Sequence, residues 1–146
     1  MASGASHGTF AWINATWAKQ PRHYHAFSQQ GVRSWHRLQE ELDLPIVWGG
    51  SLEWFASDSR QARLVSDIAE QQAWGEPARM LTGAEAQALE PAVNFHGATQ
   101  VASSPRDGAI DPVLVSKALA AAAIQQGAQV PVSYTHLTLP TRNCVV

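Results

Sequence analysis

The chain has 146 residues, of which 45% are apolar and 15% charged, and its net charge is −2. That length suits one ordinary domain with a real core, and the apolar share excludes a disordered chain. Acids and bases are interspersed, which excludes an electrostatic nucleic-acid footprint, and no apolar run approaches the roughly 20 residues of a membrane helix.

Cysteine occurs once, at Cys144, so neither a disulfide framework nor a cysteine zinc site can form within the chain. The six histidines, His7, His23, His25, His36, His96 and His136, lack ligand spacing such as His-x-x-x-His, and no metal is expected. The first residues lack the charged and apolar regions of a signal peptide, so a cytoplasmic protein is expected.

In chain order, Ser3-Gly4-Ala5-Ser6-His7-Gly8 is a run of small residues. Such a run suits backbone lying against a ligand, or equally a frayed terminus. It leads directly into Phe10-Ala11-Trp12-Ile13-Asn14-Ala15. Residues 21–43 predict one amphipathic helix, with Tyr24, Phe27, Gly31, Trp35, Leu38 and Leu42 at spacings of three and four. Pro45 forbids its continuation. His23, His25 and His36 are expected on its surface.

Around Gly49-Gly50, residues 46–56 read as strand, tight turn or bulge, then strand, and here the chain is expected to enter a second, antiparallel layer. Residues 59–74 predict a helix with Leu64, Val65, Ile68 and Gln72 on one face. Thr82 and Glu85 fit a capping box, followed by a short helix to Leu89. A strand pair interrupted by His96-Gly97 is expected over 93–103. Asp107-Gly108 is a turn signal. Asp111 caps a helix with Pro112 in its first turn, and Gly127 ends it before a new strand begins at Ala128. Helices alternating with strands in this way predict a layered α/β chain of α+β character.

Five stretches, in this order, resemble the FAD-dependent oxidoreductases related to D-amino-acid, glycine and sarcosine oxidases. They are the small-residue loop with Trp12-Ile13-Asn14-Ala15, the helix after it, Gly50-Ser51-Leu52 with its strand, the Leu81-Thr82…Glu90-Pro91 linker, and Asp107-Gly108-Ala109-Ile110-Asp111-Pro112 with its Ala-rich helix. The resemblance implies that residues 1–45 and 105–130 belong to a Rossmann-like FAD-binding domain and 46–104 to an antiparallel substrate domain. It implies FAD as cofactor, with Ser3, Gly4, Ala5, Ser6, His7, Gly8 and Trp12 along the flavin. His7 is expected to flank the ring rather than bond to it covalently. The implied substrate is a small amine or amino acid, whose C–N bond is oxidised by hydride transfer to the flavin, giving an imine that water hydrolyses. The catalytic residues are unknown, and nothing in their context selects a carboxylate-binding arginine among Arg33, Arg37, Arg60, Arg63, Arg79 and Arg106.

In that family a Gly-x-Gly-x-x-Gly turn holds the FAD pyrophosphate. No such pattern occurs here, so the chain is expected to be an internal fragment that begins about 30 residues late, counted by the usual βαβ length, and that does not hold FAD by itself. Residues 132–141 are similar to the translation of a transposon end used in sequencing libraries, so 131–146 is expected to be a non-native tail. The competing reading is a non-catalytic scaffold in which Trp12, Trp17, Trp35, Trp48, Trp54 and Trp74 form a binding surface.

Overall fold

In the computed structural model, residues 7–129 are described. Two three-stranded antiparallel sheets carry four helices between and around them. The first sheet has the order β1 (Trp12–Ile13), β6 (Gly108–Ile110), β2 (Ile46–Val47), and the second β3 (Ser51–Glu53), β5 (Gln100–Ser104), β4 (Arg79–Thr82). In register, Trp12 faces Ala109 and Val47 faces Ala109 from the other side, while Ser51 faces Ser104.

The chain therefore passes between sheets twice, side by side: outward from β2 to β3 through Gly49-Gly50, and back from β5 to β6 through residues 105–107. The Gly50 N–H donates to the Asp107 carbonyl at 3.0 Å, which ties the two passages together. The change of sheet thus falls at Gly49-Gly50, a few residues after Ile46. Gly50 needs its glycine: its φ is +76°, and a Cβ there would lie 3.1 Å from the Ser104 carbonyl oxygen.

Helix α1 (Arg22–Leu42) packs on α4 (Pro112–Gln125), as its apolar periodicity requires. Val32 and Val115 are buried there with Ile13, Ala15, Leu44 and Ile46, and Trp35, Leu38, Leu42, Ala118 and Leu119 close the cluster. The first half of the predicted stripe is displaced by one or two positions. Tyr24 and Phe27 are exposed, while His25 and Gln29 are buried. That end of α1 meets backbone and charge rather than apolar side chains. The Gln29 amide donates to the Ala15 carbonyl at 2.7 Å, and His25 Nε2 lies 3.4 Å from Glu76 Oε2. His25 is therefore not a surface histidine; His23 and His36 are exposed, and His36 stacks on Trp48 at 3.9 Å.

Helix α2 (Asp58–Ala73) buries Leu64 and Ile68 against Ala78 and Ala102, and ends at Gly75, whose φ is +90°. Gln71, not Gln72, is the buried glutamine, because its amide donates to the Thr16 carbonyl at 2.7 Å. Arg106 Nη1 also reaches Glu76 Oε2, at 3.4 Å. A polar strut of His25, Gln29, Gln71, Glu76 and Arg106 thus joins α1, α2, the segment at Ala15-Thr16 and the β5–β6 passage. Burial pushes His25 down and Glu76 up, with Arg106 adding to the first shift and opposing the second.

Helix α3 (Gly83–Leu89) carries the predicted capping box: Thr82 Oγ1 accepts from the Glu85 N–H at 3.2 Å, and the Thr82 N–H donates to Glu85 Oε2 at 2.7 Å. The strand pair expected over 93–103 is not formed. Residues 91–99 are irregular, His96 and Gly97 both have positive φ, and β5 pairs instead with β4 and β3. Phe95 nonetheless enters a third core cluster with Leu81, Ala86 and Val101.

Asp111 caps α4, accepting from the Val113 and Leu114 N–H groups at 2.8 and 2.9 Å. Replacing it with alanine leaves those donors to water, and Asp111→Ala is expected to cost about 1 kcal/mol in urea unfolding. A loss below roughly 0.3 kcal/mol would show that the cap is dispensable. Gly127, at φ +92°, ends the helix, and residues 128 and 129 are irregular; Val130 and the 131–146 tail lie outside the described residues. Among the described residues no helix is long and apolar enough to cross a membrane.

Candidate functional site

The site is built around Asp107, a residue whose sequence context shows only a turn. Its side chain is fully buried in the gap between the two sheets. Both carboxylate oxygens are occupied: Oδ1 accepts from the Ala15 N–H at 2.7 Å, and Oδ2 from Trp12 Nε1 at 2.8 Å and Ser51 Oγ at 2.6 Å. One carboxylate therefore fixes the segment 12–15, the first residue of β3 and its own passage relative to one another. Burial pushes the Asp107 carboxyl up, and the three donors offset part of that rise. The only signal in the sequence is an acidic residue beside a glycine, and its three partners are 56 to 95 residues away.

Held by this bond, Trp12 lies beside an open groove of about 430 Å³ lined by Phe10, Trp12, Val47, Gly49, Gly50, Ser51, Leu52, Gly108 and Ala109. Its lining is largely apolar, with two aromatic side chains and three glycines. Phe10 is 80% exposed, with its ring 6.3 Å from that of Trp12. Ala11, at φ +47°, sits in the left-handed region, a strain of roughly 1–2 kcal/mol for an L-residue, where the chain turns into β1. A neighbouring groove of about 710 Å³ shares Val47 and Ala109 with the first and includes His7 and Asp111.

The structure therefore brings His7 and Trp12 to adjoining grooves over the same two strands. Gly8 is exposed in the turn with His7 and lines neither groove, and Ser3, Gly4, Ala5 and Ser6 lie outside the described residues. The other tryptophans mostly have structural partners: Trp48 Nε1 donates to Gln39 Oε1 at 2.7 Å, Trp54 packs on Phe95, and Trp74 packs on His25.

Glu53 is on the same face of β3 as Ser51. Burial pushes its carboxyl up to about 7; Asp107 and, less strongly, Asp67 add to the rise, and hydrogen bonding by Trp17 opposes it. A carboxyl raised in the folded state holds its proton longer there than in the unfolded chain. Its contribution to stability is complete below the ordinary value of 4.5 and is lost as pH rises through about 7. Stability measured by urea unfolding is thus expected to fall between about pH 5 and about pH 8, and Glu53→Gln to flatten that fall. An unchanged slope in the variant would remove Glu53 from the account.

This two-sheet frame is a fold shared with known proteins. The family model of the FAD dependent oxidoreductases (DAO) matches residues 1–133. The chain belongs to this FAD-dependent oxidoreductase family. Among solved structures, glycine oxidase from Geobacillus kaustophilus superposes with a TM-score of 0.79 at 24% identity, over 90% of this chain and 37% of that one. L-proline dehydrogenase from P. horikoshii gives 0.77 at 22%, over 87% and 33%, and iminodiacetate oxidase from Chelativorans sp. gives 0.67 at 21%, over 87% and 37%. At these identities the likeness is one of fold, and the chain spans about a third of the length of each. No curated protein matches it in sequence.

The family's cofactor can be tested against the residues present. The groove beside Trp12 fits the flavin ring, since a flat, largely apolar heterocycle is complementary to a largely apolar lining with aromatic side chains and glycines. The pyrophosphate has no such match among the described residues. The Gly-x-Gly-x-x-Gly turn that would present it with backbone N–H groups does not occur in the sequence, and the α4 N-terminus is closed by the Asp111 carboxylate.

Proposed function

We propose that the chain is the ring-binding part of a flavoprotein that oxidises the C–N bond of a small amino acid or secondary amine. The observation that carries this reading is the Trp12–Asp107–Ser51 junction, whose Trp12 and Ser51 line a largely apolar groove with three glycines. When bound, FAD supplies the hydride acceptor. The chain's own part is to seat and shield. Asp107 orients Trp12 through the indole N–H, Phe10 and Trp12 keep water from one side, and Gly49, Gly50 and Gly108 line the groove without side chains of their own.

In this reading residues 1–45 and 105–130 belong to the cofactor body and 46–104 to the substrate body. The return at Asp107 supports the second boundary, and the change of sheet at Gly49-Gly50 supports a first boundary a few residues after 46, since β2 pairs with β6 in the first sheet. His7, Gly8 and the preceding Ser3, Gly4, Ala5 and Ser6 follow the ring edge, and the pyrophosphate is held by residues outside 7–129. The 146-residue chain alone is then expected to leave FAD unbound at micromolar concentration.

The test is anaerobic addition of D- and L-amino acids and N-methylated amines to a flavin-loaded longer polypeptide that contains these residues. Loss of the visible flavin band with at least one of them, and release of the carbonyl product and amine, is expected. A flavin bleached by none of them would overturn the substrate class.

A further inference from the structure

On the far side of Trp17 from the ring groove lies a separate cleft of about 470 Å³, between the 17–20 loop and one face of α2. Arg60, Arg63, Leu64 and Asp67 recur at spacings of three and four, so a single helical face supplies them. Trp17 and Phe55 form its aromatic walls, and Gln20 closes it.

Three features give this cleft a definite charge preference. The Arg60 guanidinium lies over the Phe55 ring, 5.8 Å from its centre, and makes no ion pair among the described residues. Arg63 is steered by Asp67 through Nε at 3.7 Å, an exposed contact that leaves the guanidinium open to a second partner. The Gln20 Nε2 group is buried and has no hydrogen-bond acceptor among the described residues. A buried amide donor without an acceptor is costly, and its cost is relieved by an anionic oxygen.

We propose that this cleft is a ligand site for a small organic carboxylate with a flat apolar body. The carboxylate takes the Gln20 amide and the two guanidinium groups, and the body lies between Trp17 and Phe55. Guanidinium suits this role because its planar fork matches the two oxygens of a carboxylate. The Trp17 ring is 6.1 Å from that of Trp12, so an occupant of the cleft would touch the residue that backs the ring groove wall. The proposal needs no flavin and stands or falls apart from the functional reading above.

The probe is benzoate, with benzamide as its uncharged counterpart, added to the full 146-residue chain. Indole N–H resonances in a nitrogen-labelled sample report position, the Trp17 signal being assigned by its loss in Trp17→Phe. Benzoate is expected to shift the Trp17 indole saturably, and benzamide to need at least tenfold more. The double variant Arg60→Gln, Arg63→Gln is expected to weaken benzoate at least tenfold, and Gln20→Leu to weaken it with both arginines in place. Both arginines are exposed, so circular dichroism of the double variant should match the parent. The proposal is overturned by benzoate shifts elsewhere but not at Trp17, by equal affinity for benzamide, or by an unweakened double variant.

Discussion

Asp107→Ala is expected to lower the unfolding free energy by roughly 3–5 kcal/mol, the scale of breaking a buried charged hydrogen-bond cluster. The substitution deletes what is, among the described residues, the only side-chain partner of three donors at once. The Ala15 N–H is buried and has no route to water, and the Trp12 indole and Ser51 hydroxyl are half-buried. Each buried donor left without a partner costs about 1–3 kcal/mol, and the missing side chain adds a small cavity. Asp107→Asn keeps the shape but turns an NH₂ group toward donors, so an intermediate loss is expected, larger than that of a surface change. Urea midpoints of the two variants against the parent decide the matter. A loss under about 1 kcal/mol for the alanine variant would mean that the junction between the sheets is held by something else.

Phe95→Ala is expected to cost about 3–5 kcal/mol, as large-to-small changes of buried aromatics do. Phe95 is 5% exposed although it lies in an irregular stretch, and its ring is 4.7 Å from that of Trp54. Together with Leu81, Ala86 and Val101 it fills the space between α3 and the face of the second sheet that carries Leu52. Removing it withdraws support from β3, the strand that brings Ser51 to Asp107. Thermal and urea unfolding of Phe95→Ala should show the loss; a change below about 1 kcal/mol would show that residues 91–99 rest on the surface rather than plug the core.

These two residues mark where reading the sequence succeeds and where it stops. The Asp111-Pro112 start, the Thr82–Glu85 box and the Gly127 stop are local devices whose partners lie within a few residues, and each lies where its pattern predicts. His25, Gln29, Gln71 and Asp107 are buried through hydrogen bonds to distant backbone and charge, which hydrophobic periodicity does not register. The α1 stripe is therefore shifted by one or two residues in its polar half, and correct from Trp35 onward, where the contact is apolar. Strand β4 went unread because its four residues run directly into the capping box, while the Val93–Phe95 region reads as strand but turns at His96 and Gly97 with positive φ. Of the site, Trp12 was legible through the order of motifs around it. Glu53 and the Arg60–Arg63 cleft were not, since both depend on what a strand and a helix face bring together across the fold.

The claim on which the functional reading rests is that the groove beside Trp12 seats the flavin ring. It is tested most directly by titrating FAD into a longer polypeptide in which these residues follow a Gly-x-Gly-x-x-Gly unit, in parent and Trp12→Ala forms, while recording the visible absorption band. The account predicts a yellow parent, with the variant weakened at least about tenfold, or ~1.4 kcal/mol, and its band shifted as the ring loses an aromatic wall. A parent that stays colourless, or a variant with the same affinity and the same spectrum, would contradict it.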